Sequence, residues 1–156
     1  MASVPGYHGG YLRIDLTDRT SQRIEWPEGV LRRFIGGAGL GAWLLRQETT
    51  DGVDPLAAES PLVFVFSPLV GSPLTTSAKF AVVSRSPLTR RINDSLASSG
   101  LAIAGKKTGY DALVIVGAAQ APTCLVIEPT GVGFEDAAAA WGKSSRKSAE
   151  ILKAQL

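Results

Sequence analysis

Residues 34–45 read Phe-Ile-Gly-Gly-Ala-Gly-Leu-Gly-Ala-Trp-Leu-Leu, and this run constrains the fold most. Val30, Leu31 and Phe34 fall at helical spacing, which predicts a short helix over Glu28–Ile35. Gly36-Gly37 breaks it. A second helix restarts over Gly39–Gln47, with Leu40, Trp43 and Leu44 on one face. Small residues at a helix start leave backbone N–H groups accessible, and the helix dipole there favours an anion such as a pyrophosphate. The same glycines equally suit a helix–helix corner that needs close packing. The turn is not a P-loop, because no Lys-Ser/Thr follows. It is not the dinucleotide fingerprint either, because G-x-G-x-x-G is absent and a helix rather than a strand precedes it.

The remaining elements follow from periodicity. Gly10–Leu16 alternates apolar and polar residues, Thr17-Asp18-Arg19 turns, and Ser21–Trp26 returns, which predicts a hairpin. Leu62–Phe66 and Ala112–Val116 are continuous apolar runs of strand length and read as buried strands. Lys79–Ser84 is a further strand, ended by Pro87. Thr123–Glu128 pairs with Gly131–Phe134 through a Pro129-Thr130 turn. Ser98–Lys107, Asp136–Trp141 and Ser144–Leu156 are expected to be helical, the last capped by Ser144 or Ser145. Strands and helices mix without a βαβ rhythm, so the class is α+β in a single domain, residues 1–156.

Composition excludes several functions. Hydrophobic residues make up 45% and charged residues 19%, which favours a packed core over disorder. The net charge of +2 is too small to indicate a nucleic-acid partner. No apolar run approaches the roughly 20 residues that span a bilayer, and the N-terminus lacks the layout of a secretory signal, so a cytoplasmic protein is expected. One cysteine, Cys124, and one histidine, His8, cannot assemble a four-thiolate iron–sulfur cluster or an ordinary zinc site. The carboxylates converge in no readable motif. Asp111, after Gly109-Tyr110, is expected to organise a turn. No catalytic residue and no metal ligand is assigned.

Two further segments carry polar groups suited to a site. Ser67–Phe80 is a loop with Thr75, Thr76 and Ser77 hydroxyls that ends at Lys79, a point charge for phosphate. Its alternative is an ordinary surface loop. Arg85, Arg90 and Arg91 form a basic cluster, either a solvated face or a docking surface for a partner or an anion.

Taken in order, Gly10–Thr17, Phe34–Leu44, Val53-Asp54-Pro55-Leu56, Ser67-Pro68-Leu69, Ser86-Pro87-Leu88-Thr89, Asp94-Ser95, Gly109-Tyr110-Asp111-Ala112 and Ala137 through Trp141-Gly142-Lys143 resemble most of the N-terminal domain of the tungsten-pterin aldehyde:ferredoxin oxidoreductases. The resemblance implies an α+β fold of two packed mixed β-sheets with short helices. It implies a tungsten ion (or molybdenum) held by two pterins and shared with a partner chain. The iron–sulfur cluster and substrate domains would lie in that second chain, with self-association as the other way to cover an incomplete domain. The residues it singles out for cofactor contact are Gly36, Gly37, Gly39, Thr76, Lys79, Leu96 and Ser98. Three departures accompany it. Ala38 replaces the family's arginine in the glycine turn. Lys79 replaces an arginine and loses its planar fork. Leu96-Ala97-Ser98-Ser99 replaces Asn-Ser-Gly-Gly, where a main-chain carbonyl faces a magnesium ion between the pterin phosphates. The expected function is therefore the pterin platform of an aldehyde oxidoreductase-like enzyme, inactive alone. The alternative is a degenerate relative acting as a subunit, scaffold or small-ligand binding module.

Overall fold

The computed structural model describes residues 5–156, which divide into two compact units, one ending at Ala118 and one covering Ala119–Leu156. The first unit is built on a six-stranded mixed sheet. Its strands are β1 (Gly10–Asp15), β2 (Thr20–Glu25), β3 (Leu62–Phe66), β4 (Lys79–Arg85), β5 (Ile92–Ser98) and β6 (Ala112–Val116), in the spatial order β2-β1-β6-β3-β4-β5. Only β1 and β6 run parallel; the other neighbours are antiparallel. The apolar runs of β3 and β6 pair with each other at the centre, as their lack of alternation requires.

Three helices complete this unit: α1 (Val30–Phe34), α2 (Gly37–Glu48) and α3 (Gly100–Lys107). Leu40, Leu44 and Leu45 of α2 are buried in one cluster with Val63, Val65, Ala81, Val83, Ala112, Val114 and Val116 of the sheet. Each fully buried leucine contributes about 1.5–3 kcal/mol, so this interface fixes α2 along the sheet. Gly41 lets the helix approach closely, since a Cβ there would lie 2.4 Å from Val83 Cγ2. Gly105 does the same for α3 on the opposite face, where a Cβ would meet the Phe66 ring at 2.1 Å.

The second unit holds β7 (Thr123–Glu128) and β8 (Gly131–Asp136), an antiparallel ribbon, and α4 (Ser145–Gln155). Ser144 caps α4 by accepting from Lys147 N–H, and Gln155 Nε2 donates to the Asp136 carbonyl at 2.8 Å. The α+β class with two sheets and short helices is thus observed. One sheet is mixed and the other is a purely antiparallel ribbon.

Two local expectations differ. Ser98 ends the strand β5 rather than starting a helix, and α3 begins at Gly100 after Ser99, whose Oγ accepts from Leu101 N–H. The strand Ile92–Ser98 carries no apolar alternation because it is an edge strand with nearly every side chain exposed. Asp136 belongs to β8, and only Ala138–Ala140 forms a 3₁₀ turn, leaving Trp141 outside it and 73% exposed. No helix among the described residues is long and apolar enough to cross a membrane.

Candidate functional site

The glycine turn, Lys79 and Ser98 lie at one end of the six-stranded sheet. The order of contacts establishes this. Gly41 of α2 sits over Val83 of β4, and the C-terminal residues Leu45 and Arg46 share a cleft with Arg85 and Ile92. The helix therefore runs beside β4 in the reverse direction, which brings its N-terminus to the Lys79 end. Lys79 opposes Ser98 in the β4–β5 register, and its Nζ donates to Ser98 Oγ at 2.8 Å. The β3–β4 loop closes below them through Ser67 N–H donating to the Lys79 carbonyl at 3.0 Å. That loop also meets the glycine turn, because a Cβ on Gly36 would lie 3.1 Å from Pro68 Cδ.

The glycines do different work. Gly36 is extended (φ 178°), so its need for glycine is the Pro68 contact rather than its dihedral. Gly37 has φ +57°, a conformation that side chains rarely adopt, and open space where its Cβ would stand. Gly39 packs under the Phe34 carbonyl, 3.3 Å from where its Cβ would be. The helix α2 has no side-chain cap and no acidic residue in its first turn. In contrast, α3 and α4 are capped by Ser99 and Ser144. The unused donors of α2 are therefore available to an anion.

The turn itself is strained. Ile35 takes φ +58° and ψ −68°, and Gly36 N–H donates to the Phe34 carbonyl at 2.6 Å. This is the rare left-handed γ-turn, and it is centred on a β-branched residue. Tyr7 Oη donates to the Ile35 carbonyl at 2.6 Å and holds it. Thr76, in the facing loop, is also β-branched with φ +59°. Such residues cost of order 1–3 kcal/mol each and persist where the surroundings over-determine them. Sequence reasoning singled out Thr76 for its hydroxyl but had no signal for the strain at Ile35.

The other site residues are placed as follows. Leu96 opposes Ala81, on the same sheet face as Lys79 and Ser98, and is 61% exposed beside α2. Ala38 is exposed in the first turn of α2. The structure thus gathers Gly36, Gly37, Lys79, Leu96 and Ser98 around one sheet end. Thr76 reaches it only through the loop, as no hydrogen bond ties its hydroxyl there. Among the described residues no three His, Cys, Asp or Glu side chains could jointly hold a metal ion.

A buried group that sequence reasoning treated as a turn former supports the site from behind. Asp111 is 1% exposed. Its Oδ1 accepts from Lys106 Nζ at 2.6 Å and His8 N–H at 2.9 Å, and its Oδ2 accepts from Gly9 N–H at 3.0 Å and Trp26 Nε1 at 2.9 Å. Asp111 therefore pins residues 8 and 9, next to Tyr7 and its bond to Ile35. Burial, and next the Asp111 charge, raise the Tyr7 pKa, so its hydroxyl remains a donor.

Comparison with known proteins shows the family and the fold. The sequence model of the aldehyde ferredoxin oxidoreductase N-terminal domain matches residues 11–156. The chain belongs to that family. It is 34% identical to the tungsten-containing aldehyde ferredoxin oxidoreductase of Pyrococcus abyssi, over 97% of this chain and 25% of that protein. It is 37% identical to an aliphatic sulfonate oxidoreductase, WOR-like subunit, of Pyrococcus furiosus, over 87% of this chain and 22% of the relative. Among solved structures, the active-site complex BamBC of benzoyl coenzyme A reductase with 1,5-dienoyl-CoA superposes with a TM-score of 0.90. That match is 28% identical and covers 96% of this chain and 23% of the other. The chain spans about a quarter of the length of the relatives it matches.

Proposed function

We propose that this chain is the pterin-platform portion of a tungsten or molybdenum oxidoreductase, completed by a protein part that carries the cluster and substrate domains. The observation that carries this is the uncapped start of α2 beside a strained turn, at the sheet end that also presents Lys79. The residues present fit the phosphate portion of such a cofactor. Amide groups at Gly37 and Gly39 would donate to phosphate oxygens, with Gly36 letting the turn close against Pro68. Lys79 supplies a positive charge and Ser98 holds its direction. The Leu96 carbonyl and the Thr76 hydroxyl would offer a further acceptor and donor. When bound, the cofactor supplies two-electron redox chemistry, and this chain binds and orients it.

The Lys79–Ser98 bond also favours a second reading, a relative that keeps the fold without the metal cofactor. A serine at the position of a family glycine already satisfies the cation from inside the chain. Purification from the native host with any associated chain, followed by tungsten, molybdenum and pterin quantification, separates the two. Stoichiometric metal and pterin are expected, and Lys79→Ala is expected to lower both while leaving the unfolding midpoint nearly unchanged. A native complex free of metal and pterin would refute the platform reading and leave the binding module.

A further inference from the structure

The opposite end of the same sheet carries a second feature that the platform reading does not use. The strand β4 spans seven residues from Lys79 to Arg85, roughly 20 Å at strand rise. At that far end a cleft of about 550 Å³ opens between the C-terminus of α2 and the β4–β5 turn, walled by Leu45, Ile92 and Thr49 and by Arg46, Arg85, Arg90 and Arg91.

Arg46, Arg90 and Arg91 are exposed, and Arg85 anchors the set. Arg85 is half-buried, and its two terminal nitrogens donate to the Val53 carbonyl at 2.7 Å and the Arg90 carbonyl at 3.4 Å. The turn that presents Arg90 and Arg91 is closed in both directions: Ser86 N–H donates to the Arg91 carbonyl and Arg90 N–H to the Ser86 carbonyl, each at 2.8 Å. Arg90 adopts φ +57° to make that turn. The Arg91 guanidinium has no hydrogen-bond or ionic partner among the described residues. Thr49 Oγ1, at the cleft wall, is buried without a hydrogen-bond partner, an arrangement that folded proteins seldom leave.

The charge balance selects the ligand class. Two carboxylates answer the four guanidinium groups, Asp51 at 3.5 Å from Arg46 and Asp54 at 3.8 Å from Arg90, both exposed and weak. The C-terminal end of α2 adds partial negative charge. A monoanion therefore gains little, whereas a ligand of charge near −2 or beyond neutralises the surplus. Guanidinium forks match phosphate oxygens bidentately, and Leu45 and Ile92 offer an apolar wall beside them. We propose that this cleft is a separate binding site for a small organic anion bearing a phosphomonoester or pyrophosphate group, with Arg85 and Arg91 as its principal contacts.

Titration of the full chain with inorganic pyrophosphate, followed by backbone amide NMR shifts, tests this. Saturable shifts at Thr49–Gly52 and Arg85–Ile92 are expected, weakened about tenfold or more by Arg91→Ala, in line with the loss of a charge-assisted contact. Arg85→Lys keeps the charge and loses the fork, and it is expected to weaken the same shifts. Lys79→Ala leaves them in place and affects only any shifts at Gly36–Gly39, so the outcome is read independently of the platform site. Shifts confined to Gly36–Gly39, none at about 10 mM pyrophosphate, or the same shifts with sodium chloride at equal ionic strength would overturn the proposal. Equal binding of acetate would overturn the charge argument and the phosphate assignment with it.

Discussion

Asp111→Ala removes the acceptor that ties the start of the chain, Trp26 and α3 together, and its cost can be worked from the contacts. Lys106, itself buried, loses its ion-pair partner at 2.6 Å. Breaking a buried pair by deleting one partner costs roughly 3–5 kcal/mol, because a charge stays desolvated. Three N–H donors lose their acceptor as well, at about 1–3 kcal/mol each if fully buried. The two from His8 and Gly9 are only part-buried and recover water, so the terms do not simply add. The expected total is about 4 kcal/mol or somewhat more, a large share of the 5–15 kcal/mol typical of a domain. Lys106→Met is expected to cost less, about 1–3 kcal/mol, since Asp111 keeps three N–H donors. The double variant is expected to be no less stable than Asp111→Ala alone, because the stranded ammonium has gone. Urea unfolding followed by far-UV circular dichroism reads all three. A loss below about 1 kcal/mol for Asp111→Ala, or costs that add in the double variant, would refute the hub.

Two more outcomes follow from the packing and the titrating groups. Gly41→Ala gains about 1 kcal/mol of helix propensity but drives a Cβ to 2.4 Å from Val83 Cγ2; a net loss of about 0–2 kcal/mol is expected, partly rescued by Val83→Ala, and a clear gain in urea unfolding would contradict the close approach. Burial first, then the hydrogen bond from Tyr11 Oη to Glu48 Oε1 at 2.9 Å, push the Tyr11 pKa well above the ordinary tyrosine value. A raised folded value means that this stabilisation is complete below about pH 10 and is lost as pH climbs above it. Alkaline unfolding is expected to be shallower in Tyr11→Phe, and a tyrosinate absorbance change from Tyr11 near pH 10 in the folded chain would contradict the burial.

How much of the site is legible in the sequence depends on the kind of signal. The glycine turn is read correctly as a helix break and helix start because glycine and apolar spacing are local properties, although α2 begins two residues earlier than the spacing suggests, at Gly37. Lys79 and Ser98 are both named, but their hydrogen bond depends on the β4–β5 register, which needs β5 to be recognised. That strand is polar and exposed, and its pairing with β4 rather than its side-chain pattern makes it a strand. Asp111 illustrates the same limit. A lone aspartate after Gly-Tyr looks like a turn residue, and its four donors come from positions as far as 103 residues away in the chain.

By itself the sequence determined the class, most of the elements and the family, because apolar periodicity, glycine breaks and short ordered motifs act over a few residues. The tertiary structure decided what those motifs face. It put Gly36 against Pro68, bent Ile35 into a strained turn held by Tyr7, and left the start of α2 without a cap while capping α3 and α4. It also turned the arginines from one local cluster into the wall of a cleft with Arg46 and Thr49. The physical reason is that burial and unsatisfied donors are properties of what surrounds a residue, and those surroundings come from strand pairing and helix packing across distant parts of the chain.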